Sequence, residues 1–179
     1  MQNHERQEIE SFVHAVMQKT YGCNAYPLPE RVLIARSSGD LTGAIAISEP
    51  SENSLPIEWF YEIDEKSFPG GGRPQANAMI QFGRWIGKTP SVAEILMREA
   101  VHYSLNKHYE WAISEVKPQV KRRFRQLGIE LIVLRGTLRW ERVPEAIRPY
   151  YTEPFPMLAV ASLANLDAAL RKRSLRPSP

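Results

Sequence analysis

Three carboxylates, Glu58, Glu62 and Asp64, stand close together in Leu55-Pro-Ile-Glu-Trp-Phe-Tyr-Glu-Ile-Asp64. Any of them could remove a proton from a nucleophile. Each can also be read as a solvated or ion-paired charge. A second chemically suggestive stretch is Ala78-Met-Ile-Gln-Phe-Gly-Arg-Trp-Ile86. Gly83, inside an otherwise bulky run, marks a bulge or a close backbone approach, or else a packing glycine against a helix. A bulge leaves backbone groups of the strand unpaired at that point. Gly87-Lys88-Thr89-Pro90-Ser91 follows at once, and a helix N-terminus with Lys88 could hold one phosphate. Lys117, Lys121, Arg122, Arg123 and Arg125 gather on one short helix, as a docking face for an acidic partner or as a solvated face. Trp59, Phe60, Tyr61, Phe82 and Trp85 could line a tunnel for an apolar chain, although core packing is the commoner use of aromatic residues. His4, His14, His102 and His108 show no ligand spacing, so no metal site is expected. Nothing makes the lone Cys23, just past a helix end, a nucleophile.

The elements that must position these residues can be read in order. Ile9, Phe12, Val13, Val16 and Met17 form the apolar stripe of a helix over Glu8–Tyr21, ended by Gly22. Arg31–Arg36 and Leu41–Ser48 read as a hairpin joined through Ser-Ser-Gly-Asp. A short helix follows Pro56, and Gly70-Gly-Gly72 makes a loop. The central strand is expected over Ala76–Ile86. A long helix then runs from about Pro90 to Asn106, capped by Thr89 or by a Ser91/Glu94 capping box. Trp111–Val116 is a strand. Pro118 opens a shorter helix with Val120, Phe124 and Leu127 inward, stopped by Gly128. Strands over Ile129–Arg135 and Met157–Leu163 and a helix over Leu166–Lys172 complete the pattern; Arg139–Arg148 has no clear period. One domain over 1–179 is expected, with its core over about 8–170 and a loose tail over 173–179 that carries further basic residues.

The totals exclude several classes. A formal charge of +3, from 23 basic and 20 acidic residues, is too small to argue nucleic-acid binding. One cysteine allows no internal disulfide. The polar N-terminus does not look like a signal peptide, and no apolar run is long enough for a membrane span. A cytoplasmic protein without stable membrane insertion is expected.

The order of elements resembles that of the GNAT acyltransferases, an α/β fold with a central, mostly antiparallel sheet flanked by helices. Three motifs place the resemblance in the branch of autoinducer synthases, long-chain N-acyl amino acid synthases and the thermostable hemolysin family. Leu55–Asp64 is similar to the segment before their central strand. Met79-Ile-Gln-Phe-Gly-Arg-Trp85 resembles their Glu-x-Gly/Ser-Arg strand; Lys117–Gly128 resembles the helix-and-glycine signature found late in GNAT enzymes generally. Pro149-Tyr-Tyr-Thr-Glu-Pro-Phe-Pro156 is similar to a tyrosine- and proline-rich turn of that branch.

The resemblance implies an N-acyltransferase. Its donor would be the thioester of an acyl carrier protein or of acyl-CoA, and its acceptor the amine of an amino acid or similar small molecule. No permanently bound cofactor is implied; acyl-CoA or acyl-phosphopantetheine would come and go as substrate. Gln81, Gly83 and Arg84 would be the catalytic positions. Phe82, Trp85, Gly87, Lys88, Thr89, Lys121 and Arg122 would bind the donor. Glu58, Glu62 and Tyr151 would hold the acceptor or supply an alternative base. Two departures stand out. Gln81 occupies the place of the usual glutamate, and an amide takes no proton near neutral pH. Phe124 stands where many acetyltransferases carry a tyrosine acid. These departures leave open a catalytically silent binding protein of the same fold. A hemolysin-like protein acting indirectly on membranes is a further alternative.

Overall fold

The computed structural model describes residues 3–24, 27–52 and 54–174. Helix α1 (Asn3–Tyr21) ends at Gly22, whose φ of 66° is left-handed and whose N–H donates to Gln18 O at 3.0 Å. Strands β1 (Arg31–Ser37) and β2 (Asp40–Ser48) form the expected hairpin through a tight Ser38-Gly39 turn. Helix α2 (Pro56–Phe60) leads into the short strand β3 (Tyr61–Ile63). The central strand β4 covers Met79–Gly87, and helix α3 covers Pro90–Asn106 with Thr89 Oγ1 accepting from Val92 N at 3.3 Å. Then come β5 (Trp111–Val116), α4 (Pro118–Gln126), β6 (Ile132–Val133), β7 (Gly136–Leu138), β8 (Met157–Ser162) and α5 (Leu163–Ser174).

The main sheet has six strands in the order β1-β2-β4-β5-β8-β6. Only β4 and β5 are parallel; the other neighbours are antiparallel. Alternation along β2 divides the core. Ala44 and Ala46 face α1 with Ile9, Val13 and Met17, whereas Ile45 and Ile47 face α3 and α5 with Leu96, Ala100 and Leu166. A third cluster packs α2, Tyr61, Ile113, Val160 and the turn containing Ile147 and Tyr151.

Several boundaries differ from the sequence reading. Ala76–Ala78 is a turn of 3-10 helix, so the central strand starts only at Met79. The strand expected over Ile129–Arg135 shrinks to Ile132–Val133 on β8, because the chain then crosses to pair Gly136–Leu138 with β3. The undecided stretch 139–148 contains 3-10 turns, the second spanning Glu145–Tyr151. Helix α5 starts directly after β8 rather than at Leu166. Of the expected tail, residues 175–179 lie outside the described residues.

Candidate active site

The parallel pair β4–β5 is laddered only at one end. Met79 pairs with Trp111, Ile80 with Ala112 and Gln81 with Ile113, and there the pairing stops. Beyond it, β4 is bent by a bulge: Ala44 of β2 faces Ile86 and Ala46 faces Gly83, so Arg84 and Trp85 together oppose Ile45. The bulge sits one residue later than the sequence suggested. Arg84, not Gly83, takes the left-handed conformation, at φ 50°. A bulky residue held there stores about 1 kcal/mol or more of strain. Gly83 has a different use. A Cβ built on it would meet nothing within 4 Å, so its missing side chain keeps open space open.

That space is a cavity of about 460 Å³ reaching both faces of the sheet through the gap between β4 and β5. On one face its walls are apolar: Phe82, Met97, Phe124, Leu131, Ala161 and Leu166. Trp85 packs tilted against Phe124, with 5.0 Å between centroids, and donates from Nε1 to Ala93 O at 2.7 Å, which fixes its indole. On the other face stand Gln81, Arg84, Glu115, Lys117, Tyr150 and Tyr151.

Glu115 dominates the polar face. The alternation of β5 puts it on the same side as the fully buried Ile113. Part of its side chain borders the cavity, but Oε1 is closed off from solvent and meets no hydrogen-bond donor. Burial raises the carboxyl above its usual range; hydrogen bonds from the Tyr151 and Tyr61 hydroxyls and the charges of Arg84 and Lys117 pull the other way. Burial, and then the Glu115 charge, push Tyr61 and Tyr151 well upward, so both remain O–H donors at any physiological pH. Tyr150 moves the same way for the same reasons.

Lys117 is only 3 % exposed, so it leaves the basic face in which the sequence reading placed it. Its ammonium donates to Thr152 O at 3.1 Å and to Pro154 O at 2.7 Å, and lies 4.8 Å over the Tyr150 ring. Burial lowers its proton affinity, against the charge of Glu115. Arg84 Nε is also shielded from solvent and lacks an acceptor.

The residues singled out in the sequence divide accordingly. Gln81, Phe82, Gly83, Arg84, Trp85, Gly87 and Tyr151 all line the cavity. Gln81 Oε1 accepts from Ile57 N at 2.8 Å, so its amide clasps the first turn of α2. Gly87 permits α3 to abut β4, since a Cβ there would lie 2.6 Å from Ala93 N. Lys88 and Thr89 are exposed at the start of α3, and Lys121 and Arg122 are exposed on α4; none of the four lines the cavity. Glu58 makes a bidentate pair with Arg73, at 2.7 and 2.9 Å, and caps Leu55 N. Glu62 is exposed on β3, and Asp64 pairs with Arg135 at 2.8 Å. Glu115 escaped the sequence reading, although a charge inside Trp-Ala-Ile-Ser-Glu-Val, on the Ile113 side of a buried strand, was a usable signal.

The family model for thermostable hemolysins matches residues 1–162. The chain belongs to the thermostable hemolysin family. No curated protein matches the sequence. Among solved structures, TofI in an apo form superposes with a TM-score of 0.63 at 14% identity, covering 96% of this chain and 91% of TofI. FeeM, an N-acyl amino acid synthase from uncultured soil microbes, gives 0.61 at 14% identity, over 93% of this chain and 95% of FeeM. BjaI, a CoA-dependent acyl-homoserine lactone synthase seen with SAM and isopentyl-CoA, gives 0.58 at 15% identity, over 98% and 82%. These likenesses show the fold, which is that of the GNAT acyltransferases. Among the described residues of this family member, no helix is long and apolar enough to cross a membrane.

Proposed function

We propose that the chain is a single acyltransferase domain that moves an acyl group from a thioester to the amine of an amino acid or similar small acceptor. One observation carries this reading: the gap between β4 and β5, bulged at Arg84 and left clear at Gly83, joins an apolar pocket to a polar one. A thioester needs both. Its acyl chain gains by leaving water among Phe82, Phe124 and Leu166. Its carbonyl then lies in the gap, beside β4 peptide groups that have no β5 partner beyond Gln81. Such N–H groups, fixed before reaction, stabilise the oxyanion formed when the amine adds. The acceptor approaches from the polar side, where Arg84 suits a carboxylate.

The donor is acyl-CoA or an acyl carrier protein. Lys88 at the start of α3 and the exposed Lys121 and Arg122 on α4 are the cations offered to a phosphate or to an acidic carrier. Lysis, in this reading, is an indirect effect of a lipid-like product.

The test is to incubate the pure protein with decanoyl-CoA or decanoyl acyl carrier protein and a panel of amino acids and simple amines, following free thiol and N-acyl product. Thiol release that depends on the amine is expected. A silent assay with both donors across the panel overturns the proposal.

A further inference from the structure

We propose that Glu115, on β5, is the carboxylate that receives the acceptor amine and takes its proton. This inference rests on the acyl-transfer reading and assigns to β5 the duty that Gln81 on β4 cannot perform.

Gln81 lacks the chemistry, because an amide is no base and its Oε1 is already engaged by Ile57 N. Glu58 is held by Arg73 and Asp64 by Arg135, and Glu62 points to solvent. Among the carboxylates of the described residues, Glu115 alone borders the cavity. The register explains why it can take over. Gln81 pairs with Ile113, and Glu115 lies two residues further along β5 on the same face, level with the part of β4 that has bent away. The Tyr61 and Tyr151 hydroxyls donate to the carboxyl and hold the group still, while Oε1 has no donor. A buried acceptor without a donor is costly. That cost is sustained inside the protein, and an acceptor amine meets the part of the carboxyl that borders the cavity. Burial also raises the carboxyl's proton affinity, which suits a base working near neutral pH.

The step balances without a further reactant. The neutral amine forms its C–N bond to the thioester carbonyl carbon, and an N–H proton passes to Glu115. The C–S bond breaks with its electron pair going to sulfur, and the carboxyl's proton finishes on the departing thiolate. Amide and thiol are the products, and Glu115 is again ionised.

The groups facing Glu115 are Tyr61 from β3, Tyr150 and Tyr151 from the turn before β8, Arg84 from β4 and Lys117 after β5; Cys23 sits behind Lys117 and Tyr150. The tyrosines stay protonated, so Glu115 adds its own acid limb to the pH–rate profile, beside the one that deprotonation of the acceptor amine imposes.

The experiment compares wild type with Glu115→Gln, which keeps the shape and can still accept from both tyrosines. With decanoyl-CoA and the best amino acid of the panel, kcat is expected to fall about 100-fold or more in Glu115→Gln, with the Glu115 part of the acid limb of kcat/KM lost and only that of the amine left. The KM for decanoyl-CoA should stay within roughly threefold. An unchanged kcat and acid limb in a folded Glu115→Gln protein overturns the assignment while leaving the acyl-transfer reading standing. If wild type releases no thiol, that reading fails, and calorimetry with decylamine and decanol tests Glu115 by itself. Wild type should bind the amine about tenfold tighter than the alcohol at pH 8, and Glu115→Gln should lose the preference. Equal binding of the two by wild type overturns the proposal.

Discussion

The two sides of the β4–β5 gap are built from opposite materials. On the α3/α5 side the wall is assembled from residues that also form the main core: Phe82, Met97, Phe124 and Leu166. Every atom there can be satisfied by packing alone. On the α2 side, Glu115, Lys117 and Arg84 are brought out of water among Tyr61, Tyr150 and Tyr151, and two of their polar atoms find no partner. Buried charge of that kind costs stability unless something returns it. A fold under selection for stability alone would replace it with apolar residues. On the proposed function, the contrast separates a side that would hold a chain from a side that would do chemistry, with Gly83 as the passage between them.

The most severe way to break the contrast is to close the passage. Gly83→Val adds a side chain where a Cβ meets nothing, so the fold should tolerate it. Its branches would stand in the gap. Amine-dependent thiol release should fall by about 100-fold or more, as expected when reacting groups lose alignment, with a Tm close to that of wild type. Substantial activity in Gly83→Val would mean that the acyl group does not pass this way.

A smaller effect separates chemistry from stability on the polar side. The folded carboxyl of Glu115 binds its proton more tightly than an unfolded one does, so protonation favours the native state. Its contribution is fully present below the unfolded-state pKa and is lost as pH rises through the raised folded value. At pH 8, where the unfolded carboxyl ionises freely, burying this group is therefore a burden. Glu115→Gln should raise Tm at pH 8, by roughly 2–4 °C for each kcal/mol relieved. The gain should vanish at pH 4, where the wild-type group is protonated. Thermal melts of both proteins at the two pH values check the sign.

Gln81 sharpens the same comparison from across the gap. Its role here is the clasp on Ile57 N, a group in a residue only 1 % exposed. Gln81→Leu should cost about 1–3 kcal/mol by leaving that N–H unpaired, read as a lower denaturant midpoint. Gln81→Glu keeps an acceptor oxygen and should cost much less. If Gln81→Glu instead multiplied the turnover rate, the β4 position would have regained a base and the division of labour drawn above would be wrong.

What the sequence made legible followed from local rules. The apolar stripe of α1, the Thr89-Pro90 start of α3 and the Pro118 opening of α4 are signalled by neighbours within one turn. Gly83 and Arg84 could be singled out because a glycine and a charge interrupt a bulky strand. Glu115 was harder to find. Its importance arises from non-local geometry: the carboxylate matters because β4 bends away and because Tyr61 from β3 and Tyr151 from the turn before β8 close over it. The truncation of the strand after Ile129 is likewise non-local, since β3 competes for Gly136–Leu138. Lys117 was misplaced for a related reason. Read beside Lys121 and Arg122 it joins a basic surface, but it precedes Pro118 and so leaves the helix to meet Thr152 and Pro154.

The mildest prediction concerns the outer surface, where donor choice should show without touching either wall of the gap. Lys121 and Arg122 are exposed on α4, whose Val120 and Phe124 line the cavity, so they flank one mouth of it. Exposed charges change encounter rates more than bound-state chemistry, and salt screens them over about 8 Å at physiological strength. Lys121→Glu with Arg122→Glu should therefore lower kcat/KM for an acyl carrier protein donor by about tenfold at low salt and by much less at high salt. The same double variant should leave decanoyl-CoA turnover within roughly threefold of wild type, because a small donor needs no protein docking face. Equal losses with both donors would place these residues at a phosphate shared by CoA and phosphopantetheine. No loss with either would return them to the solvated face that their exposure alone describes.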